Sequence, residues 1–183
     1  MPKMYNSAMH TIYSIGHSTR TSEQFLELLK THAIEELVDV RTIPRSRHNP
    51  QFGKEELAAS LKQAGIAYTH LGTLGGLRHP GKDSVNLGWQ NTSFRGFADY
   101  MATPEFQAGL DELKALAEKK TVAIMCAEAV PWRCHRSLIA DALTIQGWQV
   151  LHIQSRKTAS LHELTAFLKV QNGEISYPEP KKR

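Results

Sequence analysis

The sequence predicts an α/β fold: a single domain on a mainly parallel sheet of about five strands, with helices on both faces. Three observations carry that expectation. Short β-rich apolar runs alternate with segments whose apolar side chains recur every three or four positions. Most helix-patterned segments carry a start or stop residue of their own. At the far end, Asn172-Gly173 sits between alternating residues and predicts a small C-terminal β-hairpin, Leu168 to Tyr177.

Thr11 to Ile15 is the first strand and ends at Gly16-His17-Ser18-Thr19-Arg20. Thr21 with Gln24 three residues on forms a capping box. Phe25, Leu28 and Leu29 then give a helix ending near His32. Glu36 to Val40 is the second strand. It leads into Arg41-Thr42-Ile43-Pro44-Arg45-Ser46-Arg47, which Asn49-Pro50 and Gly53 keep as a loop. Lys54 to Ala64 is a short amphipathic helix on Leu57 and Leu61, closed by Gly65. Ile66 to Leu71 is the third strand.

No period appears from Gly72 to about Thr92. A connection of about 20 residues in a compact domain is usually functional or disordered. Arg78, His79, Trp89 and Gln90 favour a binding loop or lid; the other reading is a loose insertion. Ser93 to Met101 reads as a short helix. Thr103 caps a longer one, with Pro104 at its first position and Phe106, Leu110, Leu113 and Leu116 on its buried face. Val122 to Cys126 is the fourth strand, about Cys134 to Gln146 a helix stopped by Gly147, and Gln149 to Ile153 the fifth strand. Ser160 to Phe167 is expected to form a short helical turn. The core runs from about 11 to 178, with a tail over 178 to 183.

The 183-residue chain can bury a full core. No stretch reaches the roughly 20 apolar residues of a membrane span, and no signal-peptide core opens the chain, so a cytoplasmic location is expected. Two cysteines make no disulfide framework. The net charge of +4 does not by itself imply nucleic acid. Its distribution says more, because most lysines lie on helix-patterned segments or at the termini and most arginines lie in connections. Arginine in loops suits bidentate capture of phosphate or carboxylate.

In a parallel sheet the strand ends share one edge, and three polar clusters land there: Gly16 to Arg20, Asp39 to Arg47, and Cys126 to Arg136. Arg41, Arg45, Arg133 and Arg136 are candidate phosphate ligands. His17 and Ser18 could offer backbone N–H groups at a helix entry. Glu128 or Asp39 could act as general base, or could orient an arginine. Cys134, beside Arg133, His135 and Arg136 near a helix start, is a possible nucleophile or redox thiol, or else a small buried residue. Cys126 at its strand end is the other nucleophile candidate, and His135 reads as a hydrogen-bonding residue. Trp89 and Trp132 could stack on a base or pack in the core.

Cys126 to Arg133 resembles the phosphate loop of tyrosine phosphatases and rhodaneses. It has one residue too many between Cys and Arg, an acid at Glu128, and a missing donor at Pro131. Cys126, Cys134, His135 and His17 are poorly spaced for zinc, so neither metal nor cofactor is expected.

The chain also resembles the family catalogued as domain of unknown function 488. The pieces are Ile15-Gly16-His17-Ser18, Asp39-Val40-Arg41, Pro44-Arg45-Ser46, Asn49-Pro50-Gln51-Phe52, Leu74-Gly75-Gly76, Phe94 with Tyr100-Met101, and Cys126-Ala127-Glu128 followed by Cys134-His135-Arg136. The resemblance implies an α/β fold with a site at these positions and implies no reaction. Labels on some relatives link them to DNA repair, which points toward nucleic acid. The expected function is an enzyme acting on a phosphorylated substrate, a nucleotide or nucleic acid. The alternatives are a non-catalytic nucleic-acid-binding module and a thiol- or metal-site protein.

Overall fold

The computed structural model describes residues 9 to 181. Residues 182 and 183 of the expected tail lie outside the described residues. Six strands form the main sheet: β1 (Thr11–Gly16), β2 (Glu36–Asp39), β3 (Ala67–His70), β4 (Val122–Cys126), β5 (Gln149–Ile153) and β6 (Ala159–Leu161). Their order is β3-β2-β4-β1-β5-β6. The first five are parallel neighbours, and β6 runs antiparallel to β5. A separate antiparallel hairpin, β7 (Lys169–Gln171) and β8 (Glu174–Ser176), turns at Asn172-Gly173, both at positive φ. The helices are α1 (Ser22–Thr31), α2 (Lys54–Gln63), α3 (Thr92–Tyr100), α4 (Pro104–Ala117) and α5 (Arg136–Ile145). None is long and apolar enough to cross a membrane.

Strand periodicity sorts the core into two layers. Along β4, Val122, Ile124 and Cys126 join one apolar cluster while Ala123 and Met125 join the other. Phe25, Leu28 and Leu29 of α1 and Leu57 and Leu61 of α2 cover the second cluster. Phe97, Leu110, Leu113, Leu138 and Ile139, from α3, α4 and α5, cover the first. Helices therefore lie on both faces. Residues 136 to 143 of α5 are all buried.

The local signals act as expected at most helix ends. The Thr21 hydroxyl accepts from the Gln24 N–H at 3.1 Å, and the Gln24 side chain accepts from the Thr21 N–H at 3.0 Å. Thr103 caps α4 with Pro104 in its first turn.

Two expectations are corrected, and one of two alternative readings falls. The sheet has a sixth strand where Ser160 to Phe167 was expected to be a helical turn. Pairing decides this, because Ala159 to Leu161 fills the open edge of β5, opposite Leu151 to Ile153. The last long helix begins at Arg136 rather than at Cys134. Pro131–Arg133 forms a 3-10 turn first, and Cys134 is extended at φ −136° and ψ 149°. The connection from Gly72 is no loose insertion. Leu74 is fully buried, and the Asp99 carboxylate accepts from Gly81 N (2.9 Å), Ser84 Oγ (2.6 Å) and Asn86 Nδ2 (2.7 Å), tying the loop to α3.

Candidate functional site

The C-terminal ends of β1, β4 and β2 lie side by side: Gly16 is in register with Cys126, and Asp39 with Met125. That is the edge where parallel α/β sheets hold ligands. The pairing continues past the strands. His17 N–H donates to the Cys126 carbonyl and Ser18 N–H to the Ala127 carbonyl, both at 2.9 Å. Residue 16 must be glycine, since a Cβ there would collide with the Glu128 carbonyl and the Ala129 Cα.

A cavity of about 330 Å³ opens at this edge. It brings together Arg41, Arg45, Cys126, Glu128, Arg133, Cys134 and His135, with Thr42, Gly76 and Phe94 among its walls. Arg41 is 6% exposed and Asp39 is fully buried. The Asp39 carboxylate takes Arg41 Nε at 2.9 Å and Nη2 at 2.7 Å, and also accepts the Tyr68 hydroxyl at 2.7 Å. Burial and that bond raise the Tyr68 pKa. Arg41 Nη1 is buried and has no partner among the described residues. Asp39 thus holds an arginine whose third nitrogen is left for something else. Arg45, Glu128 and Arg133 are exposed around the rim.

The thiols sit at the inner wall, both buried and both free. Arg136 donates through Nε to Cys126 Sγ (2.9 Å), through Nη1 to Ser14 Oγ (2.7 Å) and through Nη2 to the Glu128 carbonyl (2.5 Å). The neighbouring Cys126 thiol, aided by the charge of Arg136, draws the Cys134 thiol down to about 6 against the cost of burial. Burial pushes Cys126 well up. His135 reaches the Val40 carbonyl through Nε2 at 2.9 Å and lies 3.5 Å from Cys134 Sγ through Nδ1. Burial lowers its pKa, so the imidazole is neutral. Gly76 packs flat on that ring, 2.6 Å from Nδ1 to where a Cβ would stand.

Other candidates fall elsewhere. The backbone N–H groups of His17 and Ser18 are consumed by the β4 loop, so they are no phosphate cradle. His17 is buried and stacked on Phe52, with ring centroids 4.3 Å apart. Burial lowers its pKa. Arg136 is 1% exposed with all three nitrogens engaged, so it faces the thiol and not a ligand. Trp89 packs against Phe94, Phe167 and Tyr177 and lines a different cavity. Among the described residues no group of three or more His, Cys, Asp and Glu is arranged to hold a metal.

Ser14 and Tyr68 belong to the site without any motif signal. A serine at a fully buried position of β1, among apolar neighbours, was the one trace of the first. Tyr68 reaches Asp39 only because β3 pairs beside β2.

The family model described as domain of unknown function DUF488 matches residues 21–143, more than half of the chain. The chain belongs to this family. The DUF488 match spans Asp39, Arg41, Arg45, Cys126, Glu128 and Cys134 to Arg136, and it begins after Gly16-His17-Ser18. No curated protein matches the chain, and no solved structure does.

Proposed function

We propose that this chain is an enzyme acting on a phosphorylated substrate, a nucleotide or nucleic acid, at the cavity beyond β2 and β4. The observation that carries the reading is Arg41 Nη1, a buried guanidinium nitrogen with no partner, in a cavity shared with Arg45 and Arg133. A buried donor left unmatched is costly, and an anion supplies the match. In this reading Arg41 fixes one phosphate oxygen while Arg45 and Arg133 close over it from the rim. Cys134, with its lowered thiol, is the nucleophile. Cys126 and Arg136 hold the negative sulfur. Glu128, solvated at the rim, handles the proton. A protein that only held phosphate would have no use for a carboxylate or a thiolate there.

The test measures binding of inorganic pyrophosphate and of nucleotides by calorimetry. Arg45→Ala and Arg133→Ala are expected to weaken binding by about tenfold or more each, the size of a lost charge-assisted bond. Cys134→Ser is expected to keep binding and lose turnover. Glu128→Gln is expected to keep binding with turnover lowered about 100-fold. Binding indifferent to both arginines sinks the reading. Full turnover in both Cys134→Ser and Glu128→Gln leaves only a binding module.

A further inference from the structure

A second cavity, of about 440 Å³, shares no lining residue with the first. Its walls include Trp89, Pro131, Trp132, His152, Ser160 and Leu161. Behind it runs a buried chain of side chains. Asp141, fully buried on α5, accepts from Thr165 N (3.1 Å), Thr165 Oγ1 (2.7 Å), the Tyr177 hydroxyl (2.8 Å) and His162 Nε2 (2.8 Å). His162 Nδ1 meets His152 Nε2 at 2.9 Å. His152 is 6% exposed, and its Nδ1 has no partner among the described residues.

Asp141 Oδ1 accepts the Thr165 N–H and the hydrogen on His162 Nε2. Burial is the main cause that lowers the pKa of His152, so its ring carries a single hydrogen. With that hydrogen on Nε2, donated to His162, the Nδ1 atom is a lone pair. One further orphan lines the same cavity, since Trp89 Nε1 is a buried donor with no acceptor. Two residues of the cavity wall, His152 and Trp89, thus carry unmatched ring nitrogens, and Trp132 of the same wall is 68% exposed.

We infer that this cavity binds a nucleobase: a planar ring stacked on tryptophan, with a ring or exocyclic N–H on His152 Nδ1 and a ring acceptor on Trp89 Nε1. The Watson–Crick edge of every nucleobase offers a donor beside an acceptor. Pro131 and Trp132 line this cavity and Arg133 lines the anion cavity, so a single 3-10 turn stands between the two. A nucleotide straddling that turn puts its phosphate among the arginines and its base against Trp132. The inference deepens the proposed function and rests on it for the phosphate half alone.

Phosphate-free probes keep the two halves distinguishable. Adenosine, guanosine, cytidine and uridine are titrated against the full chain, with tryptophan fluorescence and calorimetry as readouts and pyrophosphate as the control ligand. At least one nucleoside is expected to bind and quench fluorescence. His152→Phe and Trp89→Phe are each expected to weaken it about tenfold, with pyrophosphate binding unchanged. Nitrogen NMR of the unaltered protein is expected to show His152 protonated on Nε2, with the Nδ1 lone-pair resonance shifting as nucleoside is added. That measurement needs no variant to fold. A tenfold gain for a single-stranded oligonucleotide over the mononucleotide assigns the base to nucleic acid, and equal affinity assigns it to a free nucleotide. Failure of all four nucleosides to bind overturns the inference, as does a proton on His152 Nδ1 or binding unaffected by Trp89→Phe. Nucleoside binding without pyrophosphate binding overturns the anion reading and leaves this one standing.

Discussion

Arg41 and Arg136 are both buried arginines at one sheet edge, and they use their guanidinium groups differently. Arg41 spends two nitrogens on Asp39 and keeps Nη1 unmatched, whereas Arg136 spends all three on Cys126, Ser14 and Glu128. The sequence gathers both at the edge but cannot sort them. What separates them is the neighbour across the sheet, and neither Ser14 nor Tyr68 carries a motif. The thiols divide in the same way: both cysteines are legible as a cluster, while their partition into a raised and a lowered thiol depends on contact with each other and with Arg136. The consequence is measurable. The Cys134 thiolate should form as pH rises through about 6 and be lost as pH falls through the same range. Titration by thiolate ultraviolet absorbance, with Cys134→Ser as blank, reads the midpoint. Cys126→Ala removes the neighbouring thiol that is the largest cause and should move the midpoint up toward about 8.5. A midpoint unmoved by that change would place the cause elsewhere.

At the level of elements, punctuation residues were the most readable part of the chain. Thr21, Thr103 with Pro104, Gly65 at φ 74°, Gly147 at φ 86° and Asn172-Gly173 all act where their chemistry says they should. Two features were not readable, and both depend on partners. Strand β6 is three residues long and owes its existence to the open side of β5, so its own period is too short to register. The start of α5 is delayed because the Pro131–Arg133 turn inserts before it and leaves Cys134 extended. The loop after β4 is held against β1 by two backbone bonds and by Arg136, with no room between. Gly16→Ala should therefore push the loop outward at a cost of about 1–3 kcal/mol, the usual penalty for overpacking. Urea unfolding measures the loss, and pyrophosphate binding should weaken with it because Glu128 and the cavity wall move. An unchanged unfolding midpoint would mean that the loop gives way freely.

For the molecule as a whole, the alternation of strand and helix was enough to place every parallel strand, and the parallel sheet was enough to bring the polar clusters to one edge. The DUF488 match is narrower than the fold that carries it. Residues 21–143 omit β1, which lies between β4 and β5, and omit β5 and β6 altogether. They also omit Tyr177, fully buried and bonded to Asp141 at 2.8 Å. A fragment of 21–143 should show no cooperative thermal transition by circular dichroism while the full chain does, and a cooperative fragment would make the outer strands dispensable. The outermost strands have a further effect in a crowded solution. One side of the sheet ends in β3, four residues long, and the other in β6, three residues long and reversed in direction. So short a border offers few free backbone groups for another sheet to pair with. Molecules of this kind can meet side by side at high concentration without zipping into fibres.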